Sequence, residues 1–149
     1  MKLRVVVADD EGLARRELRR LLGKSHPEVE IVGEATDGLE AVAMIQKEAP
    51  DLVFLDIRMP ELDGFGVLDA LEPPMPEIIF STAYDQFAVD AVRRGALDYL
   101  LKPIAPEDLA RAVKRALERK AARWPGGRKA KGSWVQEIGP ISAMGRRPF

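Results

Sequence analysis

Charged and hydroxyl side chains stand at the ends of apolar, strand-like runs in this 149-residue chain. Asp9 and Asp10 follow LRVVVA, and Asp56 lies near the end of DLVFLDI. Thr82 lies near the end of a further run, EIIFSTA, and Lys102 follows LDYLL. If these ends meet, three carboxylates lie beside a hydroxyl and an ammonium group. Carboxylates this close repel one another unless a cation neutralises them.

Such a set of side chains could bind a hard cation and accept a phosphoryl group. Oxygen ligands without histidine or cysteine favour magnesium. A carboxylate such as that of Asp56 is a nucleophile toward phosphorus and forms an acyl phosphate. The metal and Lys102 would neutralise the charge of the transferring group, and the Thr82 hydroxyl would bond one of its oxygens. We therefore predict a magnesium-dependent phosphoryl-accepting site.

The composition excludes several other kinds of site. There is no cysteine, which excludes disulfides and thiolate metal sites, and a single histidine, His26, excludes metal sites built from several histidines. His26 precedes Pro27 in a polar turn, so we interpret it as a surface residue rather than a phosphorelay histidine. No stretch approaches the roughly 20 apolar residues of a membrane span, and the N-terminus does not resemble a signal peptide. We expect a cytoplasmic protein with no membrane contact.

Strand-like and helix-like segments alternate along most of the chain. Apolar or β-branched runs predict strands at 3–8, 29–35, 51–57, 77–83 and 97–101. Amphipathic runs predict helices at 12–24, 39–49, 65–71, 85–96 and 106–122. Pro50 ends one of these helices, and Asp63-Gly64 is typical of a turn that leads into the next one.

This alternation predicts an α/β fold, a doubly wound, flavodoxin-like five-stranded parallel sheet in the order 2-1-3-4-5. In such sheets the functional crevice lies beyond the carboxyl ends of the strands. The first and third strands are neighbours in this order. We therefore expect Asp9, Asp10 and Asp56 to converge at one edge of the sheet.

Charge divides the chain into an acidic body and a basic tail. Residues 119–149 contain eight basic residues and one acidic residue, a net charge of +7, so the other residues carry −8 of the total of −1. We predict one domain over residues 1–119 and a basic, flexible tail, or a truncated output or linker region, over 120–149. The tail could contact nucleic acid weakly through its charge, but it has no recognisable DNA-binding motif.

Four motifs, VVVADDE, LDIRMPELDG, FSTAYD and DYLLKPI, occur in order and in the expected elements. Together they resemble the CheY-like receiver domains of two-component response regulators, over about Lys2 to Arg119. The resemblance implies a (βα)5 receiver that takes a phosphoryl group from a sensor histidine kinase. Asp56 would be the phosphorylated residue, with Thr82 and Lys102 contacting the phosphoryl group.

The resemblance also implies a set of magnesium ligands. Asp10 would bind the ion directly, and Asp9 would bind it through water or in a secondary way. Asp56 would contribute its carboxylate, and Arg58 would contribute only its backbone carbonyl.

A switch is implied in the same way. Thr82 would move toward the bound phosphoryl group, and Tyr99 would turn inward on activation. The Lys102–Pro103 bond would be cis, which is uncommon even before proline. The surface formed by residues 85–119 would then change, and we expect homodimerisation or partner binding there.

The stretch from Phe80 to Ile104 is similar to receivers of the LytTR (LytR/AlgR) class of transcriptional regulators. In that class a DNA-binding domain follows the receiver, whereas few residues follow the last predicted helix here. We expect a receiver without that domain, acting through protein contacts. The alternative is a transcriptional regulator of this class that works through a missing domain, a partner or its basic tail.

A phosphohydrolase of the haloacid-dehalogenase type is a further alternative. Those enzymes need a second acid two residues after the nucleophile, and Arg58 occupies that position here. We therefore expect a regulator with self-phosphorylation and self-dephosphorylation chemistry rather than an enzyme. Arg58 and Tyr84 lie two residues beyond Asp56 and Thr82, respectively, and we predict that they tune the lifetime of the phosphorylated state.

Overall fold

The computed structural model of the chain describes residues 2–123. Strands and helices alternate throughout this part, in the order β1 (Leu3–Ala8), α1 (Gly12–Ser25), β2 (Val29–Ala35), α2 (Gly38–Glu48), β3 (Leu52–Leu55), α3 (Gly64–Ala70), β4 (Glu77–Thr82), α4 (Ala88–Arg93), β5 (Asp98–Leu101) and α5 (Pro106–Arg123). The predicted alternation is confirmed element by element.

The strands form one parallel sheet in the predicted order, β2-β1-β3-β4-β5. Ala8 pairs with Leu55, and Leu55 pairs with Phe80, so the carboxyl ends of β1 and β3 lie level beside β4. On the far side of β4, Thr82 pairs with Leu101. The residues that follow these strands therefore meet at one edge of the sheet.

The sheet is buried on both faces, as expected for a parallel sheet. One face is a cluster of alternate strand residues with residues of α2, α3 and α4, which includes Val6, Val53, Phe80, Ala41, Ile45, Val67 and Ala91. The intervening residues of β1, β3 and β4, such as Val5, Phe54 and Ile79, point to the opposite face and are equally buried, as are Leu18 and Leu22 of α1 and Leu109 and Val113 of α5. Almost all of the surface of the three inner strands, β1, β3 and β4, is thus occupied by packing, and the residues beyond the strand ends remain available for function.

Two elements are shorter than predicted. The strand predicted at 51–57 ends at Leu55, because the side chain of Asp56 accepts a hydrogen bond from the Ile57 N–H and turns the chain. The helix predicted at 85–96 covers only Ala88–Arg93. Residues 85–87 form a turn instead, and Gly95, at φ +84°, ends the segment in a left-handed conformation that suits glycine.

Contacts between residues divide the chain into two units, and the boundary lies within α5, between Ala116 and Leu117. Beyond this point the structure describes α5 as far as Arg123. The predicted tail lies, apart from residues 120–123, outside the described residues, and the boundary at 119/120 stays a prediction. Among residues 2–123, no helix combines the length and the apolar character needed to cross a membrane.

Candidate functional site

Three carboxylates converge where β1 and β3 end. Asp9 and Asp10 follow the last residue of β1, and Asp56 follows the last residue of β3. The Asp56 N–H donates to the Ala8 carbonyl at 2.9 Å, which joins the two strand ends. One oxygen from each of the three carboxylates lies within 4.8 Å of the others. Asp9 and Asp56 are buried, whereas Asp10 is exposed.

Lys102 carries its ammonium group into this cluster from the end of β5. Its Nζ lies 2.7 Å from an Asp9 oxygen and 2.9 Å from an Asp56 oxygen, and a third carboxylate, that of Glu11, lies at 3.4 Å. The Lys102 backbone N–H donates to the Thr82 carbonyl at 2.8 Å. The Lys102–Pro103 bond is cis, as the resemblance implied. One cation thus bridges the two buried acids.

Two groups at the site, the Asp9 carboxyl and the Lys102 ammonium group, have raised pKa values. Burial raises the pKa of the Asp9 carboxyl, although Lys102 and the Glu11 N–H both act to lower it. For Lys102, burial alone would lower the pKa, but the hydrogen bonds and charges of Asp9 and Asp56 outweigh it and raise the pKa well above its ordinary value. The ammonium group is therefore firmly charged at neutral pH.

The loop after β3 holds Asp56 by its backbone. Gly64, the first residue of α3, donates its N–H to the Ile57 carbonyl at 2.7 Å. A Cβ atom on Gly64 would lie only 2.6 Å from the Asp56 carbonyl oxygen, so this close approach requires glycine. Asp63 caps α3 by accepting the Gly66 N–H at 2.8 Å. The predicted structural role of Asp63-Gly64 as a helix start is confirmed.

Thr82 and Tyr99 both reach Tyr84, in the loop between β4 and α4. Thr82 is fully buried, and its Oγ1 accepts the Tyr84 N–H at 3.4 Å. The half-buried Tyr99 donates its hydroxyl to the Tyr84 carbonyl. Burial raises the pKa of the Tyr99 phenol. The two predicted switch residues therefore contact one segment of backbone, between the acidic cluster and α4.

Arg58 lies in the loop after Asp56, and its side chain turns to the aromatic rings of the next loop. Its guanidinium carbon lies 5.0 Å from the centre of the Tyr84 ring and 5.5 Å from that of Phe87. The predicted contribution of its backbone carbonyl to a metal site stays a prediction. The stacking was not predicted. Its one signal in the sequence is that Arg58 and Tyr84 each lie two residues after a site residue, Asp56 and Thr82, respectively.

Two further side chains at the site were missed. Glu11 lies beside Lys102, and the run of three acids that starts at Asp9 was its signal. Arg15 donates to the Asp9 carbonyl at 2.7 Å and pairs with Glu34 at 3.2 Å. The sequence pattern of the predicted helix 12–24 does not show this inward reach of Arg15.

The residues at this edge fit a hard cation. All three candidate donors are carboxylates whose oxygens lie within one coordination sphere, and histidine and cysteine are absent from the set. Lys102 balances part of the negative charge, and Asp10, the exposed member, is open to solvent. Magnesium, which keeps several waters when it is bound to a protein, suits such a partly open edge.

Comparison with known proteins agrees with this geometry. Residues 5–114 match the family model described as the response regulator receiver domain. The chain belongs to this family. The receiver shares 46% identity over 116 residues with an uncharacterized response regulatory protein of Vibrio cholerae, which is 77% of this chain and 48% of that protein. It shares 42% identity over 114 residues with the transcriptional regulatory protein BtsR of Salmonella typhi, 76% of this chain and 47% of that one.

Solved structures show the same receiver fold. The receiver domain of AraT from Geobacillus stearothermophilus matches with a TM-score of 0.73 and 32% identity, over 83% of this chain and 99% of that one. The response regulatory domain of mrkE from Klebsiella pneumoniae matches with a TM-score of 0.68 and 34% identity, over 80% and 97%. The chain spans about half the length of the curated relatives it matches.

Proposed function

We propose that this receiver accepts a phosphoryl group on Asp56 from a sensor histidine kinase, with magnesium, and that the modification changes the surface of α4, β5 and α5. The observation that carries the proposal is the contact set of Asp56. Its carboxylate shares a 4.8 Å cluster with Asp9 and Asp10 and lies 2.9 Å from the ammonium group of Lys102. A nucleophile, a cation site and a fixed positive charge meet at one point.

In the transfer step, an Asp56 carboxylate oxygen forms a bond to phosphorus as the bond between phosphorus and the donor atom breaks. The electron pair of that bond leaves with the donor, which is the histidine nitrogen of a kinase or the acetate of acetyl phosphate. Lys102 is positioned to hold the charge of the transferred oxygens, because it already contacts Asp56. Attack of water on phosphorus reverses the modification and releases inorganic phosphate.

Asp9, Asp10 and Asp56 are the side chains that would hold magnesium, and the Arg58 carbonyl is the predicted backbone ligand. When bound, the ion would neutralise negative charge on the transferring phosphoryl group. Asp9 is held in place independently, since Oδ1 accepts the Glu11 N–H at 2.9 Å and Oδ2 contacts Lys102.

The response to phosphorylation would start at Thr82. Its hydroxyl bonds the Tyr84 N–H weakly, at 3.4 Å, so little is lost when it turns to a phosphoryl oxygen. The same loop carries the carbonyl to which the Tyr99 hydroxyl donates. Movement of Thr82 would thus disturb the Tyr99 contact and shift the population of α4 positions.

We assign the chain a regulatory rather than an enzymatic role. A phosphohydrolase acting on Asp56 would need an acid two residues later, and Arg58 at that position turns its guanidinium to Tyr84 and Phe87. In this role, loss of the phosphoryl group from Asp56 ends the signal and does not serve to convert a separate substrate.

Control of transcription is the second candidate for the output. It is favoured by the similarity to BtsR, which is described as a transcriptional regulatory protein. The LytTR type proposed from residues 80–104 belongs with this candidate. DNA contact would come through a domain or partner that joins the receiver, and the basic residues 120–149 would add at most weak nucleic-acid binding.

Intact mass after incubation with acetyl phosphate tests the proposed function. We expect the mass of one phosphoryl group to be added with magnesium and not with a chelator, and we expect Asp56→Asn to show no gain. Asp63→Asn, which changes the helix-capping acid nearby, is the matched control and should be labelled like wild type. No gain by wild type under any condition would refute the proposal.

A further inference from the structure

Five aromatic residues beside helix α4 are joined by four ring–ring contacts and one hydrogen bond. Ring centres lie 6.3 Å apart for Tyr84–Phe87, 6.1 Å for Phe87–Phe65, 5.2 Å for Phe65–Phe80 and 6.1 Å for Phe80–Tyr99. The Tyr99 hydroxyl then donates to the Tyr84 carbonyl and closes the set. We call these five residues the aromatic ring set. It joins α3, β4 and β5 to the loop from which α4 starts.

Two arginines cover this set at different places. Arg58 lies over Tyr84 and Phe87, at the start of α4. Arg94, the residue after the last turn of α4, lies 4.9 Å above the Phe65 ring and pairs with Asp69 of α3 at 2.7 Å. A guanidinium over an aromatic face is attracted to the ring, and here each one joins two different elements. One arginine acts at the beginning of the helix and the other at its end.

The helix between them has few other restraints. It is only six residues long, with Ala91 as its buried residue, and its outer residues Val89 and Val92 are 63% and 71% exposed. A helix this short contributes little stability of its own. Apart from the packing of Ala91, its position therefore depends on contacts at its two ends, which include those that Arg58 and Arg94 make.

We propose that Arg58 and Arg94 are latch residues, which hold α4 and the aromatic ring set in the unphosphorylated arrangement and so set how readily the receiver switches. The coupling to phosphorylation rests on the proposed function at Asp56, whereas the latch itself is a property of the unmodified protein. Tyr99 cannot turn inward while its hydroxyl holds the Tyr84 carbonyl and Arg58 holds the Tyr84 ring. The middle three rings, those of Phe80, Phe65 and Phe87, each pack on two neighbouring rings, so opening the set at one of them weakens the contacts on either side.

Arg94 is the decisive residue to test, because its contacts are with α3 rather than with the acidic cluster. The first measurement is hydrogen exchange of the α4 amides in the full 149-residue chain, without metal or phosphodonor. Loss of the Arg94 stacking and ion pair, or of the two Arg58 stacking contacts, should raise exchange by about two- to fivefold in Arg94→Ala and in Arg58→Ala, respectively. Asp69→Asn, which removes the ion pair and leaves the stacking, should raise it less. Arg93→Ala, which removes an exposed arginine of the same helix, should not change it.

The second measurement is the affinity for beryllofluoride, a phosphoryl analogue, in the presence of magnesium. If the latch opposes the switch, Arg94→Ala should bind the analogue about two- to fivefold more tightly, by reciprocity between the two equilibria. Unchanged exchange in both alanine variants, or an equal rise in Arg93→Ala, overturns the latch. Raised exchange with unchanged affinity overturns its link to switching. If wild type does not bind the analogue, the proposed function fails, and the exchange experiment still decides whether the latch exists.

Discussion

At the scale of single residues, the guanidinium of Arg58 and the ring of Tyr84 form one cover between the two loops at the acidic site. We predict that these two side chains, which flank the acidic site, each hinder the approach of water to a phosphoryl group on Asp56, whether or not they remain stacked. Arg58→Asn and Tyr84→Ala should each speed the loss of the phosphoryl group, by up to about tenfold, which corresponds to about 1.4 kcal/mol of barrier. The decay of the added mass after removal of acetyl phosphate measures this. Arg93→Asn is the charge-matched control, and unchanged rates in both test variants would refute the prediction.

Tyr99 offers a test by pH. Its phenol has a raised pKa because it is partly buried, so the folded state holds the proton more tightly than the unfolded state does. The sign follows: the contribution of Tyr99 to stability is constant well below pH 10 and falls as pH rises above the ordinary tyrosine value. The chain has two tyrosines, so Tyr84→Phe leaves Tyr99 alone. We predict that phenolate absorbance in this variant titrates with a midpoint above the ordinary tyrosine pKa of 10.0, and a midpoint at or below it would contradict the assignment.

At the scale of elements, the end of α2 carries local strain that a substitution can remove. Ala49 adopts φ 47°, a left-handed conformation in which its N–H bonds the Ile45 carbonyl. Glycine adopts this conformation without the cost of a Cβ atom. We predict that Ala49→Gly raises the free energy of unfolding by about 0.5–1 kcal/mol, after allowance for the more flexible unfolded chain.

Urea unfolding measures this difference. Ala43→Gly is the matched control, since it makes the same change at an exposed position inside α2 and should lower stability by about 1 kcal/mol. A loss of stability in both variants would show that the left-handed conformation of Ala49 carries no strain.

The bounds of the short elements were the least predictable part of the fold. Hydrophobic runs located β1, β2 and the long helices closely, because burial of one face decides those elements. The limits of β3 and α4 depend instead on side chains that bond backbone groups. The Asp56 side chain accepts a hydrogen bond from the Ile57 N–H, and the Tyr99 hydroxyl donates one to the Tyr84 carbonyl. A one-dimensional pattern does not contain such contacts.

At the scale of the whole molecule, the meeting of Asp9, Asp10, Asp56 and Lys102 could be predicted, because strand order alone brings those chain positions to one edge. The direction of long side chains could not be predicted from the sequence. Arg58 and Arg15 reach partners chosen by the packing of neighbouring loops and helices. The strand order can thus be predicted from hydrophobic periodicity, whereas the partners of the charged side chains around the site depend on three-dimensional packing.

The face of α4 and β5 presents apolar surface to solvent. Val89, Val92 and Leu101 are 63%, 71% and 46% exposed. We predict that phosphorylation promotes self-association through this face, within the proposed 85–119 surface, and that Val92→Glu abolishes it. Sedimentation with and without acetyl phosphate and magnesium measures the effect. Leu13→Glu, at a 75% exposed position on α1, is the control and should associate like wild type. Equal behaviour of the two variants would argue against this face.

The central claim is that Asp56, among three clustered carboxylates, is the one that receives the phosphoryl group. The most direct test is to locate the modified residue. The protein is treated with acetyl phosphate and magnesium, the acyl phosphate is reduced with borohydride to homoserine, and the site is read by peptide mass spectrometry. We predict homoserine at position 56 alone, because Asp56 follows β3 at the position that receiver domains phosphorylate and its carboxylate lies 2.9 Å from the Lys102 ammonium group. Homoserine at position 9 or 10, or at none of the three positions, would contradict the account.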